Sequence, residues 1–248
     1  MREHYTPGHS ANAVDFMFRR TAHSHGAFFL RRLHAGMRLL DCGCGPGTIT
    51  VGLARGVHPG EVVGIDAGGT QLMRARDRAR EANVNATFLE ADVYSLPFSD
   101  GEFDAAFSHA LFEHLTDPLG AWREIRRILK PGGIIGLRSP DWGGFVLHPW
   151  DSRVASALND YQRIQRTNGG DVFAGRKLAA WLRQAEYVGV EASASYEIYP
   201  DPSLIADYLA LQLESRKLRR SATILRNWAQ NDDALFAQSW FEATGQKT

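Results

Sequence analysis

Short apolar runs alternate with amphipathic segments between residues 37 and 139. The amphipathic segments carry apolar side chains every three or four positions, which predicts helices, whereas the runs have the length of buried strands. The predicted strands are Met37–Cys42, Val62–Asp66, Ala86–Ala91, Phe103–Ser108 and Ile134–Arg138, and the predicted helices are 48–57, 70–82 and 118–130. Because the connections are short, this alternation predicts a doubly wound α/β fold with parallel strands and right-handed crossovers.

The pattern changes after Pro140. Residues 141–172 hold aromatic residues, glycines and one predicted helix near 152–166, and the following segments predict a helix over 173–187, a strand over Glu191–Tyr199 and helix through most of 202–229. The apolar positions of Phe236–Thr244 fit a strand and a helix equally well. We expect one domain, 1–248, with a core over 37–139 and a cap formed by 1–36, 141–172 and 202–229.

Composition and charge exclude several classes of protein. Lys and Arg together number 28, as do Asp and Glu, so the net charge is zero and gives no general attraction to nucleic acid or anionic membranes. No apolar run is long enough to predict a membrane span, and the first residues lack a signal-peptide pattern. The chain has two cysteines, too few for a disulfide framework, so a cytoplasmic location is expected. No spacing predicts a metal site, and the choice between monomer and homodimer stays open.

The stretch LLDCGCGPGT, residues 39–48, joins an apolar strand to a helix through alternate glycines. Glycine lets the backbone turn tightly and approach a ligand closely. The spacing departs from the G-x-G-x-x-G of dinucleotide-binding loops, because Thr48 stands where the third glycine belongs, and no phosphate-binding G-x-x-x-x-G-K is present. Asp41, just before Gly43 and Gly45, suits a cationic amine or sulfonium better than a pyrophosphate.

Three acids end three successive predicted strands: Asp41, Asp66 and Asp92. Asp66 can accept hydrogen bonds from ribose hydroxyls. Asp92 can accept from an exocyclic amine while the N–H of Val93 faces a ring nitrogen. One such acid alone is more simply a turn or capping residue. Three in register with a glycine loop predict a ligand site at the carboxyl edge of the sheet.

These stretches, with VVGID, FLEADVYSLPF, FDAAFSHALFEHL and LKPGGIIGL in order, resemble the motifs of class I S-adenosylmethionine-dependent methyltransferases. The closest resemblance is to the ubiquinone/menaquinone-biosynthesis group, and it covers about residues 37–139. It implies a mostly parallel, Rossmann-like sheet of seven strands with an antiparallel last hairpin, and S-adenosylmethionine as the cofactor.

The resemblance also implies roles for individual residues. Asp41 would lie near the methionine amino group, Gly43 and Gly45 beneath the cofactor, Asp66 at the ribose, and Asp92 with Val93 at the adenine. Ser108 matches a position beside the methionine part, and Cys44, Ala67 and Gln71 complete the expected cofactor-binding set. Arg20, ahead of the sheet, could reach the cofactor carboxylate, or it could be an exposed helix residue.

Candidate catalytic and acceptor residues follow the fourth and fifth strands. His109, His114 and Asp141 could take a proton from an acceptor, with packing or capping as the alternative for the last two. Aromatic residues and one histidine are expected to contact the acceptor, or else only to pack the cap; these are Trp142, Phe145, His148, Trp150 and Tyr161.

The expected reaction is methyl transfer to an oxygen, nitrogen or activated carbon of a small molecule, such as a secondary metabolite or a quinone-like compound. A nucleic-acid substrate is not expected, because Ser108-His109-Ala110-Leu111 lacks the prolines of base-amine methyltransferases and no Pro-Cys pair is present. The alternatives are a non-catalytic cofactor-binding subunit or regulator, and an NAD-dependent oxidoreductase, which the missing third glycine disfavours.

Overall fold

The computed structural model describes residues 5, 6 and 16–248, so residues 1–4 and 7–15 of the predicted cap lie outside the described residues. Its strands are β1 (Arg38–Cys42), β2 (Glu61–Asp66), β3 (Ala86–Glu90), β4 (Phe103–His109), β5 (Leu129–His148), β6 (Tyr187–Ile198) and β7 (Leu235–Lys247). They form one seven-stranded sheet in the order β3-β2-β1-β4-β5-β7-β6. Strands β1 to β5 are parallel, and β7 runs antiparallel to β5 and β6. The predicted fold class, including the antiparallel hairpin, is confirmed.

The helices are α1 (Ala22–His25), α2 (Ala27–Leu30), α3 (Thr48–Val57), α4 (Gly69–Glu81), α5 (Pro118–Ile128), α6 (Ser152–Thr167), α7 (Ala174–Gln184), α8 (Pro202–Ser215) and α9 (Arg219–Ala229). A 3-10 turn covers Phe112–His114. Local sequence sets the start of α5, because the Asp117 side chain accepts a hydrogen bond from the Gly120 N–H and Pro118 occupies the first helical position. The predicted bounds of α3, α4 and α5 agree with the structure to within two residues.

Strand β5 is much longer than the five residues predicted for it. It continues through Pro140 and the two glycines that follow to His148, and β7 pairs with it from Ile134 to His148. The register shifts between Asp141 and Val146, where the glycines lie. Proline and glycine weaken a strand by themselves, which is consistent with a predicted strand that ends at Arg138. The long antiparallel partner supplies hydrogen bonds that local sequence does not reveal.

Separate hydrophobic clusters build the sheet layers and the cap. Trp122 and Ile125 of α5 pack against one face of the sheet, and Phe29 with Leu53 packs against the other. Helices α6, α8 and α9 form a third cluster with Trp142. This cluster places the predicted cap segments 141–172 and 202–229 together, with the end of β5. None of the described helices is long and apolar enough to cross a membrane.

Candidate active site and cofactor cavity

The glycine loop after β1 is fastened to the neighbouring strand. The backbone N–H groups of Gly43 and Cys44 both donate to the carbonyl of Ile65, at 2.8 and 2.9 Å. Asp66, the last residue of β2, accepts the Gly45 N–H at Oδ2 (2.9 Å) and the Gly68 N–H at Oδ1 (2.8 Å). Its carboxylate therefore holds the glycine loop and the approach to α4 in one arrangement.

Two positions in this loop need glycine for different reasons. Gly45 has φ +52° and Gly47 has φ +76°, in the left-handed region that L side chains rarely adopt. A Cβ at Gly47 would lie 2.9 Å from the Cβ of Ala75, so the close packing of α4 excludes a side chain. A Cβ at Gly45 would have only Met17 Sδ within 4 Å, at 3.8 Å. Gly45 thus faces open space.

That space is a cavity of about 580 Å³ at the carboxyl edge of the sheet. Its lining brings together nearly all of the predicted cofactor-binding residues: Arg20, Asp41, Gly43, Cys44, Gly45, Asp66, Ala67, Gln71, Asp92 and Val93. Ser108 is the exception, because its Oγ donates to the carbonyl of Cys42 at 3.0 Å and it does not line the cavity. Ser108 ties β4 to β1.

Asp41 is buried beneath the cavity, and Thr50 Oγ1 donates to its Oδ2 at 2.6 Å. Burial raises the pKa of Asp41 to about 7; the hydroxyl of Thr50 opposes the rise and the charge of Asp66 adds to it. A cation placed beside this carboxyl would favour its ionised form. The environment therefore suits a ligand amine.

Asp92 and Val93, the residues predicted to meet the adenine, are less enclosed than Asp41. Asp92 is exposed and accepts the N–H of Tyr94 at Oδ1 (2.9 Å), which is a local turn contact, while Val93 is buried. Gln71 is 2% exposed, and its Oε1 has no hydrogen-bond partner among the described residues. An unpaired buried acceptor is costly, so a ligand donor at Gln71 would be favourable.

A second cavity, of about 50 Å³, adjoins the first beneath the cap. Tyr5, Met17, Arg20, Ala110 and His114 line both cavities. Most of the remaining lining is aromatic, amide or apolar, and comprises Phe16, Glu113, Pro140, Trp142, Tyr161, Gln165, Tyr199, Ile205, Tyr208, Gln238 and Trp240. A ligand in the larger cavity and one in the smaller cavity would therefore meet at shared residues.

The structure brings only two of the five predicted acceptor residues to this second cavity, Trp142 and Tyr161. Phe145 instead stacks on Phe236, with ring centroids 5.8 Å apart, and packs within the cap. His148 and Trp150 are exposed, Trp150 by 68%. These three line neither cavity, because Phe145 and His148 lie on the far end of β5 and Trp150 follows that end.

Neither predicted histidine base is well suited to accept a proton. Burial, with a contribution from the positive charge of Arg20, lowers the pKa of His114 to about 3. Burial and nearby arginines also lower the pKa of His109, whose Nε2 lies 3.2 Å from Nη1 of Arg138. A neutral ring accepts a hydrogen bond from that guanidinium, so this nitrogen is already occupied.

Asp141 is fully buried and pairs with Arg176, whose Nε and Nη2 each donate to it at 2.6 Å. The Gly143 N–H also donates to it, at 2.8 Å. Asp141 lines neither cavity. Its place in the structure is that of an anchor between β5 and α7 rather than a proton acceptor.

Glu113 is the acid that sequence reasoning missed. It is 3% exposed and lines the second cavity, and Ser139 Oγ donates to its Oε2 at 2.9 Å. Burial raises the pKa of Glu113 to about 7. The only local signal was its place beside His114 in the FEHL stretch. Tyr208 and Trp240 come from distant elements and have no local signal.

The cavity fits S-adenosylmethionine in size and in chemistry. Its volume lies within the range of small-molecule pockets. The buried carboxyl of Asp41 suits the amino group of the cofactor, and the carboxylates of Asp66 and Asp92 line the same cavity. The open space at Gly45 admits a ligand close to the backbone.

Comparisons with known proteins identify the family. Residues 40–137 match a family model described as a methyltransferase domain. An uncharacterized methyltransferase of Schizosaccharomyces pombe is 33% identical over 73% of this chain and 68% of its own. Demethylmenaquinone methyltransferase of Lactococcus lactis is 32% identical over 63% of this chain and 68% of its own.

The solved structure of the YcgJ protein from Bacillus subtilis shares the fold. It has a TM-score of 0.66 at 21% identity and covers 91% of this chain and 98% of that one. The similarity to sequence relatives extends well past the glycine loop and its acids, over most of both chains. The chain therefore belongs to the class I S-adenosylmethionine-dependent methyltransferases and is an enzyme that uses this cofactor.

Proposed function

We propose that the enzyme methylates a small, planar or largely apolar molecule whose reacting end lies in the 50 Å³ cavity beneath the cap. The observation that carries this proposal is the adjacency of the two cavities through five shared lining residues. Bound S-adenosylmethionine supplies an electrophilic methyl group. The protein then has to align the acceptor with that methyl at about 3–3.5 Å and to exclude water.

Several residues would hold the cofactor. Asp41 would accept from its amino group, Asp66 from its ribose, and Asp92 with Val93 would meet the adenine. Arg20 lines both cavities, its guanidinium lies 5.5 Å from the ring centre of Trp240, and it forms no ion pair with a carboxylate of the described residues. It would hold a carboxylate at the junction of the two ligands.

The dimensions and lining restrict the acceptor. A cavity of about 150 Å³ holds benzene, so 50 Å³ takes only the reacting end and the rest must lie in the shared space. Aromatic rings dominate the walls, which suits a flat molecule. A quinone-like compound or an aromatic secondary metabolite meets both conditions. The zero net charge and the two buried free thiols support a small-molecule substrate and a reducing, cytoplasmic location.

The test is a search for the product. The enzyme is incubated with a metabolite extract and S-adenosylmethionine carrying a deuterated methyl group, and mass spectrometry identifies compounds that gain the label. The Gly45→Val variant, which obstructs the cofactor cavity, is the matched control. We expect labelled aromatic products with the wild type alone. Cofactor binding without any labelled product would contradict the proposal.

A further inference from the structure

Glu113 lies where an acceptor would react. It is the only acidic side chain among the described residues that line the smaller cavity, and Arg20 is the only cationic one. The other polar lining groups are tyrosine hydroxyls, side-chain amides, indole N–H groups and the neutral His114. The cavity therefore pairs one negative with one positive group, which favours a neutral reacting end over an anion or an ammonium ion.

The position of Glu113 is fixed from several sides. Its backbone carbonyl accepts from the Asp171 N–H at 2.9 Å and from Gln165 Nε2 at 3.0 Å. Ser139 of β5 holds one carboxyl oxygen. A Cβ added at Gly170 would lie 2.5 Å from the Glu113 carbonyl, so the chain packs tightly behind it. A carboxyl group held this firmly is preorganised for proton transfer.

Glu113 is also better placed than the nearby histidines to take a proton. Its pKa of about 7 means that it is partly ionised at neutral pH and can hold a proton once it receives one. His114 has a pKa of about 3, which is too low for it to retain a proton near neutral pH. Nε2 of His109 already accepts a hydrogen bond from Nη1 of Arg138.

Resting on the methyl transfer proposed above, we propose that Glu113 is the catalytic base and that the acceptor reacts through a neutral, phenol-type hydroxyl. The hydroxyl proton passes to a carboxylate oxygen of Glu113. The hydroxyl oxygen uses an electron pair to bond the transferred methyl carbon. The carbon–sulfur bond of the cofactor breaks and leaves its electron pair on sulfur, so the products are a methyl ether, S-adenosylhomocysteine and protonated Glu113. After the products leave, solvent water removes that proton.

The ionisable and charged groups around Glu113 come from each neighbouring element. They are Tyr5 and Arg20 from the N-terminal segment, His114 beside it, Tyr161 of α6, Tyr208 of α8, and Asp171 before α7. Burial raises the pKa values of all three tyrosines, that of Tyr208 to about 12. Since the tyrosines stay protonated and His114 stays neutral near pH 7, Glu113 is the group of this cluster whose titration should shape kcat once the cofactor is bound.

The experiment compares Glu113→Gln, Ser139→Ala and the wild type on matched phenols. The substrates are neutral naphthol and catechol compounds, their nitro-substituted forms, which are largely ionised near pH 8, and aniline analogues of the same shape. The control is Glu191→Gln, which removes only an exposed ion pair with Arg32. Calorimetry with S-adenosylhomocysteine and thermal unfolding check that each variant folds and binds the cofactor product.

For neutral phenols we expect Glu113→Gln to lower kcat by about 10²–10⁴-fold, the usual contribution of a general base. For nitrophenols, which need no base, the loss should be less than about tenfold. With saturating cofactor, so that the titration of Asp41 does not limit binding, the wild-type kcat should rise with pH through an inflection near 7. Ser139→Ala should move that inflection upward, because the Ser139 hydroxyl favours the carboxylate. Cofactor-product affinity should not change.

Three results would overturn the inference. The first is an equal loss for neutral and ionised phenols in Glu113→Gln. The second is methylation of anilines without phenols. The third is no methylation of any phenol by wild type that binds the cofactor product. In each case labelled products from the metabolite extract would still support methyl transfer to a small molecule. Failure of the inference about Glu113 can therefore be distinguished from failure of the proposed function.

Discussion

At the scale of single residues, two buried carboxyl groups share the same unusual acidity in different surroundings. Burial raises the pKa values of Asp41 and Glu113 to about 7, and each accepts one hydroxyl hydrogen bond, from Thr50 and Ser139 respectively. Asp41 lines the larger cavity and Glu113 the smaller. Under the roles proposed above, Asp41 would bind the cofactor amine and Glu113 would receive a proton.

The acidity of Asp41 predicts that cofactor affinity depends on pH. Below pH 7 the free site holds a protonated Asp41, and a cationic amine must displace that proton to pair with the carboxylate. The affinity for S-adenosylmethionine should fall about tenfold per pH unit below 7 and level off above it. Calorimetry between about pH 5.5 and 8 measures this. The Asp41→Asn variant should bind weakly and without that slope.

The same shift has a consequence for stability. The folded pKa of Asp41 lies above its ordinary value of 3.8, so the folded protein holds this proton more tightly than the unfolded chain does. The free energy of unfolding should therefore fall as pH rises from about 4 to 7. At pH 8 Asp41→Asn should therefore unfold at a higher denaturant concentration than the wild type. A destabilised, tight-binding variant would contradict the assignment of Asp41 to a ligand amine.

Sequence alone could place Asp41, Asp66 and Asp92 together, because the carboxyl ends of neighbouring parallel strands meet at one edge of the sheet. It could not identify Glu113, and it proposed the neighbouring His114 instead. Their different proton affinities follow from burial against α6, α8 and the N-terminal segment, and those contacts are set by the tertiary fold.

At the scale of elements, two glycines of the loop after β1 have different surroundings. Gly45 faces the larger cavity, whereas Gly47 packs against helix α4. We expect Gly45→Val to abolish cofactor binding, because its side chain enters the cavity, with a stability loss of about 1–2 kcal/mol for the left-handed backbone. Gly47→Ala should mainly lower stability, since its Cβ would lie 2.9 Å from Ala75. Calorimetry and urea unfolding of both variants separate the effects. Normal binding by Gly45→Val would show that the cofactor lies elsewhere.

The Asp141–Arg176 pair joins β5 to α7, and its loss should affect folding rather than binding. Asp141 is fully buried although Arg176 is 49% exposed, so solvent screening reduces the value of the pair. We expect Asp141→Asn to lower the free energy of unfolding by about 1–3 kcal/mol. Its cofactor affinity should equal that of the wild type. A large loss of turnover in fully folded Asp141→Asn would instead restore this residue as a candidate base.

Local patterns predicted the helices well and the second half of the sheet poorly. Helices α3, α4 and α5 carry their own caps or periodicity, so their bounds follow from nearby residues. The segment predicted as helix over 202–229 divides into α8 and α9 around Lys217, which has φ +63°. Strand β5 continues past Pro140 only because β7, about a hundred residues later in the chain, pairs with it.

At the scale of the whole molecule, residues 141–172 and 202–229 pack together through side chains that also line the smaller cavity. Trp142 is 6% exposed, lies 5.0 Å from the ring of Tyr161, and belongs to the cap cluster. We expect Trp142→Ala to lower stability by about 3–5 kcal/mol, as large-to-small core changes do, and to reduce turnover. Cofactor affinity per folded molecule should not change, because Trp142 does not line the larger cavity.

Titration with S-adenosylhomocysteine at a temperature where the Trp142→Ala variant is folded tests this expectation. Turnover with a labelled product from the extract is then compared per folded molecule. If residual turnover simply follows the fraction folded, Trp142 packs the cap and takes no part in acceptor binding.

The pairing of β5 with β7, which extends from Ile134 to His148 with one register shift, bears on how new acceptor specificities could be made. If only residues 141–172 and 202–229 were replaced, the end of β5 would come from the other enzyme. The original β7 would then have to pair with that foreign strand. Chimeras between related enzymes should therefore exchange the cap together with Leu235–Ser239, the part of β7 that pairs with the end of β5. The irregular register between Asp141 and Val146 marks the natural junction, because a mismatch there disturbs the fewest hydrogen bonds.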